Sequence, residues 1–180
     1  MKPYRTKITA PRLRNILPRE RLFSLLDTME AFPVTWVSSR AGSGKTILLA
    51  SYLKARGLPS LWYRVDEADG DVASFFYYMS EAATMLKKGR NKPLPLFTPE
   101  CRAGMFAFTR YYFESLFSRM TPPYAIVLDN YQDAPEPSQF HEVMRNAFGL
   151  VPEGIRIFVA SRSDCRPSFV SLKAAASSAP

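Results

Sequence analysis

Histidine, cysteine and long apolar runs are what this chain of 180 residues has least of. One His and two widely separated cysteines, Cys101 and Cys165, give neither a disulfide framework nor a metal-ligand spacing. A small disulfide-built secreted scaffold and a zinc module are therefore excluded, and a reducing cytosol is the expected compartment. No apolar run approaches the length of a membrane span, and the basic N-terminus is not followed by the apolar stretch of a secretory signal. Acid is scarce at the start. Residues 1 to 21 carry seven bases (Lys2, Arg5, Lys7, Arg12, Arg14, Arg19, Arg21) against Glu20, which is +6 of the net +8 and leaves +2 for the remainder. Such an arm can bind nucleic acid or acidic surfaces, but a solvated segment that packs through its apolar residues is the more ordinary outcome. With 47% hydrophobic residues, the chain can bury one substantial core, and one domain is expected.

Glycine is also sparse, eight in all, and two of the eight fall together in the stretch VTWVSSRAGSGKTILL, from Val34 to Leu49. Val34, Trp36 and Val37 read as a strand with both faces covered. Gly42 and Gly44 let the backbone bring several N–H groups close to a polyphosphate, with Ala41 and Ser43 between and beside them. Lys45 can reach the β and γ phosphates. Thr46 offers a hydroxyl to Mg²⁺ at the positive end of the helix that starts there. The motif GxxxxGK[ST] asks for glycine where this chain has Ser39, a mild departure because the positions nearest the phosphates are kept. A glycine turn with an incidental lysine is the plain alternative.

The rest of the chain alternates strands and helices. Ile8, Pro11, Leu13, Ile16, Leu17 and Pro18 suit an extended arm laid over a core. Leu22, Phe23, Leu25 and Leu26 give a helix from Arg19 to about Met29, and Ile47 to Leu53 another, which ends at Gly57. Leu61, Trp62, Tyr63 and Val65 form a strand. Asp66, Glu67, Asp69 and Asp71 follow, able in principle to hold a metal but placed as caps for the next helix. Apolar spacing predicts helices over 72 to 86, 100 to 120 and around Phe140 to Phe148. In the second of these Phe106, Phe113, Leu116 and Phe117 are expected inward, Arg110 and Arg119 outward, with Tyr111 and Tyr112 packing rather than stacking on bases. YAIVL (Tyr124 to Leu128) is a buried strand ending in Asp129 and Asn130, and IRIFVA (Ile155 to Ala160) another ending in Ser161 and Arg162. Asp129 at a strand tip can hold Mg²⁺ through water beside Thr46. Strands alternating with helices imply a parallel sheet with Lys45, Asp129 and Arg162 at its carboxyl edge. Residues 88 to 99 read as a proline-containing loop, and residues 166 to 180 as a disordered tail.

With KITAPRL, LPRERL, SSRAGSGKT, LWYRVDEADGDVASFF, IVLDNYQDA and IFVASR in order, the chain resembles the N-terminal nucleotide-binding module of STAND-class signalling ATPases. The likeness covers residues 7 to 165 and is nearest to the large LuxR-type, maltose-activator-like transcriptional regulators. It implies an α/β fold, a P-loop NTPase three-layer sandwich whose parallel sheet is of the additional-strand type, with the Arg162 strand between those of Lys45 and Asp129. By the same resemblance Arg162 senses the γ phosphate, and Leu17, Pro18 and Arg19 lie near adenine, although family members often carry glycine at the Pro18 position. Relatives usually place a second acid after the magnesium aspartate; here it is Asn130, and an amide cannot act as the base for the attacking water.

The domain expectation is an extended basic arm over 1 to 18, a nucleotide-binding domain over 19 to 165 and a tail over 166 to 180. The sheet is expected to stop after its fourth strand, as in a truncated piece or shortened gene product, without the helical repeats and helix-turn-helix of whole regulators. The function expected is an ATP/ADP- and Mg²⁺-binding signal-transduction switch, at most a weak ATPase, with Lys45, Asp129, Asn130 and Arg162 as its catalytic positions. Expected partners are nucleotide and the other domains of a regulator, with self-association allowed, no membrane and no specific DNA binding by this stretch. A small P-loop phosphotransferase using Asp66 or Glu67 as base, and a nucleotide-free interaction module, are the alternatives.

Overall fold

The computed structural model describes residues 6–86 and 93–165. Among these the helices are α1 (Glu20–Thr28), α2 (Lys45–Ala55), α3 (Val72–Ala83), α4 (Met105–Phe117) and α5 (Gln139–Phe148). The strands are β1 (Val34–Ser38), β2 (Ser60–Arg64), β3 (Tyr124–Asp129) and β4 (Ile155–Ser161), in the order β1-β4-β3-β2. All neighbours pair in parallel, so every strand's carboxyl end opens on one edge.

Alternation along each central strand feeds two cores, one on each face of the sheet. Ile126 and Leu128 of β3, with Ile157 and Val159 of β4, pack against α3, α4 and α5. Ala125, Val127, Phe158 and Ala160 pack against α1 and α2. The result is three layers, with β3 and β4 covered on both sides as their continuous apolar sequence requires. Helix ends follow local chemistry. Asp71 accepts from the Ala73 N–H at the start of α3, and Gly57 at φ +61° ends α2, where the Leu58 N–H donates to the Leu53 carbonyl and the Gly57 N–H to that of Lys54.

Three expectations need correction. β1 is half-buried rather than covered on both faces, because it forms one edge of the described sheet. The single helix over 100 to 120 is instead a 3-10 segment, Pro99–Gly104, followed by α4. Phe106 is 63% exposed, while Met105 and Phe108 are the side chains of the first turn of α4 that pack against the core. Tyr112, by contrast, is wholly buried and bonded to Ser80 and to the Phe76 carbonyl, a packing role. The expected loop over 88 to 99 falls partly, and the expected tail wholly, outside the described residues.

The arm does more than cover the core with Ile8. Lys7 is buried and pairs with Asp66 at 2.6 Å and with the fully buried Asp69 at 2.9 Å, while its carbonyl accepts the Arg64 N–H. Asp69 also accepts from the Tyr63 hydroxyl and the Asp66 N–H, closing a capping box with Asp66. Asp66, Asp69 and Asp71 of this loop are thus caps, and the first two anchor the arm. Removing one member of a buried pair strands the other charge, so Lys7→Ala should cost about 3 kcal/mol in denaturant unfolding. A loss under about 1 kcal/mol, the range of exposed pairs, would show that the arm is not anchored there.

Candidate functional site

The loop between β1 and α2 owes its shape to two left-handed residues. Gly42 sits at φ +77° and Gly44 at φ +81°. A Cβ at Gly42 would meet nothing within 4 Å and one at Gly44 only Arg19 Nη1 at 3.8 Å, so dihedral freedom rather than room explains both glycines. Gly44 is the N-cap of α2 and no side chain caps this helix, which leaves its first N–H donors facing the loop. Lys45 curls back over the loop. Its ammonium donates to the carbonyls of Ser39 and Arg40, the latter at 3.0 Å, and to Ser43 Oγ at 3.4 Å. Arg19 donates to the Ser43 carbonyl at 3.0 Å from the other side. Ala41 and Ser43 are exposed at the tip.

From the start of α2, Thr46 Oγ1 donates to Asp129 Oδ1 at 2.9 Å, across 83 positions of sequence. The same carboxylate oxygen accepts the Asn130 N–H at 3.1 Å. Asp129 is only 4% exposed. Burial pushes its carboxyl above the usual aspartate range, and the bonds from Thr46 and Asn130, then the charges of Arg64 and Lys45, partly offset this. Asn130 adopts φ +59°, a left-handed conformation asparagine tolerates better than most L-residues. With its amide oxygen turned to Arg64 it accepts from both Nε and Nη2, each at 3.2 Å.

Two cavities flank the loop. An apolar one of about 620 Å³ lies between α1 and β1, with Leu22, Leu26 and Trp36 in its walls and Arg19, Ser43 and Lys45 at its mouth. The other, of about 540 Å³, lies between the arm and the ends of β2 and β3. Leu17 is 85% exposed and lines neither cavity. Arg162 is exposed at the end of β4, and its backbone N–H donates to Gln132 Oε1. The structure therefore gathers Arg19, Gly42, Gly44, Lys45, Thr46, Asp129 and Asn130 at one edge, leaves Leu17 outside, and sets Arg162 on the same edge without lining either cavity.

Sequence reasoning missed two contacts. Arg64 reads as one polar residue in a strand, and only its register opposite Asp129 reveals its place. The segment after β4 folds back over β1, with Ser38 Oγ donating to Asp164 at 2.7 Å and Trp36 Nε1 to the Ser163 carbonyl at 3.1 Å. No local signal announces these.

What the fold and site define is an α/β protein with a four-stranded parallel sheet and a glycine-lysine-threonine loop facing a buried aspartate at its carboxyl edge. No protein-family model matches the chain. It is similar to the HTH-type transcriptional regulator MalT of Vibrio cholerae, with 29% identity over 163 residues covering 88% of this chain and 17% of that protein. The proteins of the same name from Vibrio parahaemolyticus and Yersinia pestis (strain Pestoides F) are each 28% identical, again over 88% of this chain and 17% of theirs. The chain thus spans 17% of the length of these relatives. Among the described residues no helix is long and apolar enough to cross a membrane.

The buried carboxylate sets a test of the site's cost. Its raised value means the folded state holds the Asp129 proton more tightly than the unfolded chain does. That stabilising difference is complete below the ordinary value of about 3.9 and is lost as pH rises through the folded value. With chelator present, Asp129→Asn should therefore stabilise the protein by about 1 kcal/mol at pH 7, or about 3 °C in Tm. The gap over the parent should shrink towards pH 4. A variant less stable than the parent at pH 7 would show that the carboxylate is a net structural asset.

Proposed function

We propose that this chain is an ATP- and Mg²⁺-binding switch module of the P-loop type with additional-strand order, part of a larger transcriptional regulator, and at most a slow ATPase. The observation that carries this reading is the 2.9 Å bond from Thr46 to Asp129, which joins the glycine loop to the tip of β3. Residues 19 to 165 form the nucleotide-binding unit, and the arm packs onto it. The similarity to MalT regulators over 88% of the chain supports the regulator assignment.

In this reading the N–H groups of residues 42 to 46 and the ammonium of Lys45 hold the polyphosphate, and Lys45 exchanges the Ser39 and Arg40 carbonyls for phosphate oxygens. Thr46 and Asp129 are the metal positions, both oxygen donors of the kind Mg²⁺ takes; the ion would neutralise charge on the phosphates. Arg19, at the mouth of the apolar groove between α1 and β1, faces the base, while exposed Leu17 contributes little. Arg162 is a cation on the same edge, available to the terminal phosphate. Asp66 does not serve as a phosphotransferase base, because its carboxylate caps the 3-10 turn at Glu67–Gly70 and pairs with Lys7, and Glu67 lines neither cavity beside the loop.

Mg-ATP at about 100 times its dissociation constant should stabilise the protein by about 2.7 kcal/mol, read as a rise in Tm. Lys45→Ala should abolish that rise while leaving the Tm without nucleotide near the parent's, since the side chain bonds only to its own loop. An unchanged ATP response in the variant would remove the P-loop assignment. A parent with no response would favour a nucleotide-free interaction module.

Hydrolysis should be slow for a separate reason. Phosphoryl transfer needs charge neutralisation and a positioned water, and a base is worth about 10² to 10⁴ in rate. The Asn130 amide cannot take a proton, and its oxygen is engaged by Arg64. Single-turnover assays should give a rate well below about 1 s⁻¹. A rate at or above that value would mean that another residue supplies the base.

A further inference from the structure

We propose that Arg64, oriented by Asn130, is the residue through which this site reads a terminal phosphate and so prefers a nucleoside triphosphate to a diphosphate; the inference rests on the nucleotide reading above. Arg64 is the last residue of β2 and stands opposite Asp129 in the parallel register, so it leaves the sheet level with the carboxylate that Thr46 contacts. Side chains two apart on a strand share a face, and Trp62 packs in the core under α2. Arg64 is therefore on the α2 side, where Lys45 and Thr46 begin their helix. There it lines the 540 Å³ cavity together with Thr46, Asp129 and Arg12.

The guanidinium is held without being neutralised. With the Asn130 amide assigned so that its oxygen faces Arg64, that oxygen accepts from Nε and Nη2 at 3.2 Å each, a neutral tether on one edge of the fork. The Nη1 and Nη2 hydrogens of the opposite edge remain, and that planar pair matches two phosphate oxygens. Among the described residues no carboxylate forms an ion pair with Arg64. The left-handed backbone of Asn130 turns its amide off the line of β3 towards the neighbouring β2. Arg162, by comparison, lines neither cavity and meets its neighbours through its backbone N–H. A cation set beside Thr46 and Asp129 in the same cavity can meet an anionic ligand there, and a third phosphate is the one that ATP has and ADP lacks.

The test is calorimetric titration of the full chain with Mg-ATP and Mg-ADP for the parent, Arg64→Ala, Arg64→Lys, Asn130→Gly and Arg162→Ala. Arg64→Ala should weaken ATP roughly 10- to 100-fold, the range of a charge-assisted bond, and ADP less than about threefold. Arg64→Lys should recover only part of the loss, because an ammonium cannot be held by one edge and bind through the other. Asn130→Gly keeps the left-handed backbone and deletes the tether, so ATP should weaken more than ADP and the ATP-to-ADP preference should narrow. Equal losses for both nucleotides in Arg64→Ala, or an ATP-selective loss only in Arg162→Ala, would overturn the assignment. Should Arg64→Ala give no cooperative melt, an unchanged preference in Asn130→Gly overturns it instead. A parent that binds neither nucleotide overturns the nucleotide reading itself, an outcome distinct from the others.

Discussion

The hydrogen bond from Thr46 to Asp129 is the contact on which the site depends, because it joins two strands that are not neighbours. β4 lies between β1 and β3, so their backbones stand two strand spacings apart, about 10 Å. No loop residue at the level of the sheet spans that gap. The bridge is made by the start of α2, which the glycine turn lifts over the end of β4 and sets down beside β3. The left-handed Gly44 at the helix N-cap is therefore a condition for the Thr46–Asp129 pair as well as for the loop.

This arrangement has a thermodynamic signature. A buried carboxylate held by one hydroxyl and one N–H, a helix start with no capping side chain, and a non-glycine residue, Asn130, at positive φ are each unfavourable locally. They persist because the strands beneath are covered on both faces, with every residue of β4 buried. Strain gathered at one edge over an ordinary core is the distribution expected of a binding site. A second buried polar cluster, Lys7 with Asp69 and Tyr63, differs because each charge has its partner.

Most of the fold was legible in the sequence for reasons that can be named. The apolar runs YAIVL and IRIFVA read as strands because both faces of β3 and β4 are buried, and the 3.6 period of Phe140, Val143, Met144 and Ala147 reads as α5 because one face alone meets the core. The same rule failed at Phe106. Its spacing matches that of Phe113, but the first turn of α4 meets the core through Met105 and Phe108, so the inward face lies to one side of Phe106. β1 failed for a related reason, since an apolar run does not say whether a strand is central or at an edge. At the site, the glycines, Lys45, Thr46 and Asp129 carried local signals of composition and position. The pairs Lys7 with Asp69 and Arg64 with Asn130 carried none, being 62 and 66 positions apart and defined only by strand register.

Those long-range pairs give the basic arm a role that its charge alone did not suggest. Lys7 fixes its start to the acid loop after β2, Arg12 lines the cavity beside Asp129, and Arg19 at its far end holds the Ser43 carbonyl. One extended segment thus touches both flanks of the glycine loop. Its middle is held by no comparably buried ion pair, whereas Lys7 is locked in a buried one. A change at the Ser43 carbonyl therefore acts on a segment anchored at its opposite end, and displacement would concentrate in the stretch around Arg12 and Leu17. Leu17, 85% exposed there, is an apolar side chain on the surface of that stretch.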